Sequence, residues 1–333
     1  MKVFDLHCDT LSELRYAERR GEAKSFATND LHIDLEKLHK GDYMLQCFAA
    51  FVNLSDPTPG ADPLVTALEE VDVFKRIMAK YSDQIAPVYR PEDIRRNAQA
   101  RKISGMLTIE EGGCCEGSLG VLRQMYELGA RMMTLTWNHE NELASPNVVP
   151  GGGGDIWPCK PNTETGLKER GFEFLAEMER LHMIVDVSHL SDRGFWDIAE
   201  HSTRPFAASH SNCRALAPHC RNLTDEMIRV MAEKGGLVGL NYCSGFLDDQ
   251  PRPELCRSTT ALMARHAAHF KQVGGIEIIG LGSDFDGIGG KLEMGDCSKL
   301  PLLADALRKE GFTEDEVEQI FFRNAQRFFE ENL

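Results

Sequence analysis

The chain has 333 residues, 42% of them hydrophobic, with 17 Phe, which supports a full core in one large barrel or two ordinary domains without staples. Its formal net charge of −15 excludes a nucleic-acid binder, which needs a basic face, and disfavours docking on anionic membranes. There is no apolar stretch of about 18 residues, no charged-then-apolar leader before Val3, and no Cys-x-x-Cys among ten irregularly spaced cysteines; together these predict reduced thiols and a cytoplasmic location.

In chain order, β-rich apolar runs predict strands at Val3–Leu6, Met44–Val52, Ile103–Ile109, Met132–Thr136, Met183–Val187, Pro205–Ser209, Leu237–Tyr242 and Ile278–Gly282. Segments of helical periodicity lie between them. Pro63–Tyr81 carries Leu64, Leu68, Val71, Phe74 and Ile77 near a 3.6-residue period. Leu119–Leu128, Gly166–Arg180, Asp192–Glu200, Thr224–Glu233 and Thr259–Val273 follow, then Leu302–Lys309 and Glu314–Asn332. Thr313, with Glu316 three residues on, predicts a capped start to the last helix. Eight alternating strand–helix units with near-continuous apolar strands imply a parallel sheet closed as a single eight-stranded β/α (TIM-like) barrel over residues 1–333. An open doubly wound sheet fits less well, because no Gly-rich phosphate turn follows the first strand. Gly151–Gly154 reads as a loop, since no Gly-Lys-Ser/Thr follows it.

Barrel enzymes place reactive groups at the C-terminal ends of strands. Here the first strand ends in His7-Cys8-Asp9, the third in Glu110-Glu111, the fifth in His189, the sixth in His210 and the eighth in Asp284-Phe285-Asp286. Residues two apart on a strand share a side, so His7 and Asp9 converge while Cys8 turns away. Three imidazoles and two carboxylates exceed one tetrahedral zinc with an open position. They suit two metals sharing a carboxylate, which activate water to hydrolyse an amide, ester or phosphate.

The segments Asp5–Thr10, Ile109–Gly113, Met132–Thr136, Val185–His189, Ala208–Ser211, Arg221–Asp225 and Gly282–Gly287 together resemble the membrane (renal) dipeptidase family of binuclear zinc peptidases, on its bacterial side. The resemblance implies the eight-stranded barrel, two zinc ions (cobalt or manganese as substitutes), and hydrolysis of dipeptides by a hydroxide bridging the two metals. Dipeptides with a D-residue at the C-terminal side are included, and a homodimer is compatible with it. Carried over by position, His7 and Asp9 hold one metal, His189 and His210 the other, and Glu111 bridges, with adjacent Glu110 as the alternative; only one of the two should face inward. Arg221 matches the arginine that grips the substrate carboxylate. Asp284 matches the acid that moves the proton to the leaving nitrogen, and Asp286 is a weaker candidate.

One position departs from the mammalian pattern, where a histidine follows Thr-Leu-Thr. Here Trp137 stands in that place, followed by Asn138-His139. An indole cannot act as an imidazole base, so His139 or Asn138 is the candidate to stabilise the oxyanion. Trp157 and Phe246 are candidates for the pocket mouth, and Asp186 for a partner of His189. The competing readings are another binuclear barrel hydrolase acting on lactones, cyclic amides or phosphoesters, and a metal-stabilised binding protein without turnover.

Overall fold

A computed structural model describes residues 1–58, 61–148, 160–250 and 252–333. Among these residues nine parallel strands form one sheet: β1 (Val3–Asp5), β2 (Tyr43–Phe51), β3 (Ile85–Pro87), β4 (Ile103–Glu110), β5 (Ala130–Thr134), β6 (Ile184–Asp186), β7 (Ala207–Ala208), β8 (Leu237–Leu240) and β9 (Ile279–Leu281). Pairing of β2 with β4, from Leu45↔Ser104 to Phe51↔Glu110, closes the sheet into an eight-stranded barrel. The extra strand β3 pairs only with the start of β4, outside the ring. All eight predicted strands are therefore barrel strands, and β3 is the addition. The Gly151–Gly154 loop and Trp157 lie outside the described residues.

Alternation along the strands separates two apolar cores. Outward residues pack under the helices, as Ile103, Leu107 and Ile109 of β4 do. Inward residues fill the barrel: Phe4, Leu6, Leu45, Cys47, Met106, Met132, Ile184, Ala207 and Leu237. Ala325, Phe328 and Phe329 of the final helix join that inner core. Asn324 anchors this plug by donating to the carbonyls of Ile276 (2.7 Å) and Ile279 (2.9 Å), at the entry to β9. One wide π turn, Gln319–Arg323, interrupts the last helix just before Asn324. With the entry end plugged by apolar rings, the opposite end is left for polar groups.

The predicted crossover helices form, Leu119–Leu128 with the same bounds and the others with ends shifted by at most three residues. Caps explain the starts, because each satisfies an otherwise orphaned amide. Ser118, Ser191, Thr224 and Thr259 accept from Val121, Gly194, Met227 and Leu262. Thr313 and Glu316 form the reciprocal capping box. Among the described residues, four α-helices of at most ten residues, Thr10–Arg19, Leu35–Lys40, Pro91–Gln99 and Ser244–Leu247, were not predicted. Among the described residues no helix is long and apolar enough to cross a membrane. Cys8, Cys47, Cys114, Cys115, Cys213, Cys243, Cys256 and Cys297 are free thiols, but Cys220 is disulfide-bonded, against the expectation that all are reduced.

Candidate metal centre

Five strand ends converge at the open end of the barrel. From β1, His7 Nε2 lies 3.3 Å from Asp9 Oδ2. From β6 and β7, His189 Nε2 and His210 Nε2 lie 3.1 Å apart. The rings of His7 and His210 stack with centroids 3.9 Å apart. From β9, Asp284 joins His7 and Asp9, with one donor atom of each within 4.8 Å of the others. All these side chains are buried.

The carboxylate between the two histidine groups is Glu110, not Glu111. Glu110 Oε2 is 3.3 Å from His7 Nε2, while its Oε1 is 3.0 Å from His189 Nε2 and 3.6 Å from His210 Nε2. Strand parity decides it: Met106 points into the barrel and Leu107 and Ile109 point out, so Glu110 falls on the inner face. The expectation placed Glu111 here. Instead, Glu111 leaves the strand with φ 95° and turns into the backbone of the next loops. Its oxygens accept from Gly113 N (2.7 Å), Trp137 N (2.9 Å) and Asn141 Nδ2 (2.5 Å). Ser104, Met106 and Thr108 share Glu110's parity, and that alternation was the available signal.

The backbone is bent to make this geometry. Glu111, His189 (φ 67°) and Asp284 (φ 62°) all occupy the left-handed region just past a strand end. Each costs on the order of 1 kcal/mol or more, a strain that persists only where surroundings enforce it.

The donor set fits cations. Asn138 Oδ1, 3.0 Å from His189 Nδ1, can only accept, so that nitrogen carries the proton and the Nε2 lone pair faces the site. His210 Nδ1 is likewise engaged, by Ser209 Oγ at 2.7 Å. The Nε2 atoms of His189 and His210 thus face the same space. Two further buried atoms, His7 Nε2 and Asp9 Oδ1, have no hydrogen-bond partner among the described residues. Burial opposes charge on His7, but Glu110 and Asp9 outweigh it and hold the ring protonated, well above its ordinary range. Burial, with the charges of Arg221 and His7 adding to it, pushes His189 down to about 3 and His210 well below its ordinary range. Burial lifts Asp9, with the charge of Glu110 adding to it, and Asp284 to about 6. Buried imidazoles and carboxylates crowded this closely, with unpaired donor atoms among them, are what divalent ions stabilise.

Arg221 is buried beside the histidines. Its Nη2 donates to the His210 carbonyl (3.0 Å), its Nη1 reaches Ser211 Oγ (3.4 Å), and its Nε has no partner among the described residues. The guanidinium carbon lies 5.3 Å from the centroid of the Phe246 ring. His139 is not brought to the cluster. Its ring nitrogens face Asn53 Oδ1 (3.1 Å) and Ser55 Oγ (3.5 Å) on the loop after β2, and Trp137 stands between it and His189. Asp286 holds the loop, accepting from Thr10 Oγ1 and the His32 amide, each at 2.6 Å. Asn138 and Asn241 contact site residues, and neither role was legible beforehand.

Residues 1–332 match the family model for membrane dipeptidase, peptidase family M19. The chain belongs to that family. An uncharacterized protein of Klebsiella pneumoniae is 32% identical over 81% of this chain and 96% of its own length. An uncharacterized dipeptidase of Schizosaccharomyces pombe is 33% identical over 89% of this chain and 71% of its own. Among solved structures, a dipeptidase of family M19 superposes with a TM-score of 0.89 at 26% identity, covering 100% of this chain and 98% of that one. A metallopeptidase of Rhodobacter sphaeroides, crystallised with a phosphinate mimic of the dipeptide L-Ala-D-Ala, gives the same score and identity over 100% and 99%. The M19 chain described here is accordingly a metallo-dipeptidase.

Proposed function

We propose that this M19 dipeptidase works with two divalent cations, zinc in the first instance, at a centre that shares Glu110. The observation that supports it most directly is the span of that carboxylate, whose Oε2 faces His7 while Oε1 faces His189 and His210. His7 and Asp9 would hold one ion and His189 and His210 the other. When bound, such a pair polarises the scissile carbonyl and brings water's pKa near neutrality.

The remaining steps belong to the chain's own side chains. Arg221, a buried cation whose Nε has no partner among the described residues, would hold the dipeptide's terminal carboxylate. That contact fixes substrate length, because the carboxylate must sit one residue from the scissile bond. Asp284, lifted to about 6 by burial, can accept a proton from the attacking water and return it to the leaving amine near neutral pH. The Rhodobacter relative's ligand makes a D-residue on the C-terminal side a reasonable member of the substrate range.

Protein loaded with about two zinc ions per chain should cleave members of a dipeptide panel that includes L-Ala-L-Ala and L-Ala-D-Ala. Arg221→Ala should raise KM by about 10-fold or more for these and leave substrates without a free carboxylate unaffected. Loaded protein that cleaves no member of the panel would overturn the reading.

A further inference from the structure

Asn241 directly follows strand β8; it is fully buried and touches a catalytic candidate without being one. A buried amide must pair both its ends, and here the pairing sets its direction. Asn241 Oδ1 accepts from Cys243 N at 2.6 Å, so the NH2 group points the other way. There it donates to Asp284 Oδ2 at 2.9 Å and approaches the His210 carbonyl at 3.4 Å. The backbone is locked as well: Asn241 N donates to Asn212 Oδ1 (3.1 Å), and Asn212 Nδ2 donates to the Asn241 carbonyl (2.9 Å).

We infer that Asn241 is the positioning residue that turns Asp284 so that Oδ1, not Oδ2, handles the proton. The inference rests on the proposed role of Asp284. With Oδ2 covered by the amide, Oδ1 is the oxygen left to take a proton. It lies on the Asp9 side, because a Cβ built on Gly287 would sit 2.7 Å from Asp284 Oδ1 and overlap Asp9 Oδ2. The proton taken from the attacking water and returned to the leaving amine therefore travels on the oxygen nearest the His7–Asp9 corner. Asn241 also shares an acceptor with the substrate anchor, since Arg221 Nη2 binds the same His210 carbonyl at 3.0 Å. One peptide oxygen thus registers the proton carrier against the carboxylate grip.

Two variants of the full-length, zinc-loaded protein test this. Asn241→Asp keeps the shape and the Cys243 contact but sets an acceptor against Asp284 Oδ2. Asn241→Ala removes the donor. For L-Ala-L-Ala, kcat should fall about 100-fold in the first and about 10-fold or more in the second, with KM within about threefold and bound zinc unchanged. Crystal structures of both should show the Asp284 carboxylate rotated away from its wild-type setting. An Asn241→Asp protein retaining half the wild-type kcat overturns the inference. So does an unmoved Asp284 in the Asn241→Ala crystal, or a loss of zinc that accounts for the loss of rate. If the wild-type protein cleaves no dipeptide, the functional reading fails, and the crystal structures still decide what Asn241 does.

Discussion

Asp5 and Asp186 perform the same task from opposite sides of the barrel. β1 and β6 are four strands apart in the ring of eight. Asp5 is in register with Leu281 of β9, and Asp186 with Ala207 of β7. Each Oδ1 accepts two amides, one two residues on, just past the end of its own strand, and one two residues past its register partner. Asp5 takes His7 N (3.1 Å) and Ser283 N (3.0 Å); Asp186 takes Ser188 N and Ser209 N, both 2.9 Å. The carboxylates stand in for ladder acceptors where the strands splay, and the four amides belong to, or precede, His7, Asp284, His189 and His210. Asp186→Ala should cost roughly 3 kcal/mol of unfolding free energy, the order expected for two hydrogen bonds to a buried carboxyl. It should also weaken zinc at the His189–His210 corner. Asp186→Asn, whose Oδ1 can still accept both amides, should lose clearly less. Denaturant unfolding and zinc titration distinguish them; equal losses in both variants would refute the amide-clamp account.

The neighbours Glu110 and Glu111 should separate cleanly by mutation. Glu110→Gln removes a charge from between His7 and the His189–His210 pair, so bound zinc should drop from about two to about one or none per chain, and turnover with it. Glu111→Gln should keep both ions. It instead presents an NH2 group to a pocket of three donors, Gly113 N, Trp137 N and Asn141 Nδ2. One unsatisfied contact there costs about 1–3 kcal/mol, visible as a lower melting temperature at unchanged zinc content. The reverse pattern, zinc lost with Glu111→Gln and kept with Glu110→Gln, would contradict the geometry.

What the sequence made legible follows from locality. Strand ends carry their chemistry within two or three residues, so His7, Asp9, His189, His210 and Asp284 could be picked out before any coordinates. Glu110 was legible too, through the Ser104–Met106–Thr108 alternation, but position in the family motif pointed one residue on. Thr10–Arg19 hid because it is short and begins directly after the His7–Asp9 motif. The positions of Asn241 and Asn138, and the clamp made by Asp5, depend on which strands become neighbours across more than 40 residues, and no local pattern reports that. Asp186 was singled out as a partner for His189. It holds the backbone of Ser188 and Ser209 rather than the ring.

Gly287 is required by space alone. Its Cβ would lie 2.7 Å from Asp284 Oδ1 and inside contact with Asp9 Oδ2, at the point where the two carboxylates face each other. Neither side chain can retreat freely: Asp284 is held by Asn241, and both are buried. Gly287→Ala should therefore cut kcat by about 100-fold or more and weaken zinc at the His7–Asp9 corner, since small displacements at a reacting centre are costly. Gly289, where a Cβ meets nothing within 4 Å, provides the control. Gly289→Ala should keep near wild-type rates. Activity retained in Gly287→Ala would mean the loop shifts at little cost.

His266 sets an acid limit on stability. The ring is buried beneath the wall that carries Arg221 and Phe246. Its Nδ1 accepts from Cys213 N (3.1 Å), so its Nε2 carries the proton and donates to the Leu247 carbonyl (3.0 Å). Only the neutral ring satisfies both bonds, and burial depresses the pKa from 6.5 to about 4. The unfolded chain therefore binds a proton below 6.5 that the folded chain refuses. Stability from this group is complete above pH 6.5, falls as the pH drops through that window, and stops falling near 4. At pH 5 the loss is roughly 2 kcal/mol relative to pH 7. His266→Gln should be less stable than wild type at pH 7, having lost the paired bonds. Its stability should also decline less between pH 7 and pH 5, by about that same 2 kcal/mol. Urea unfolding of both proteins at the two pH values, at matched zinc content, makes the comparison. Parallel pH dependences would show that His266 is protonated in the folded chain, and that the bond from Cys213 N does not form as described.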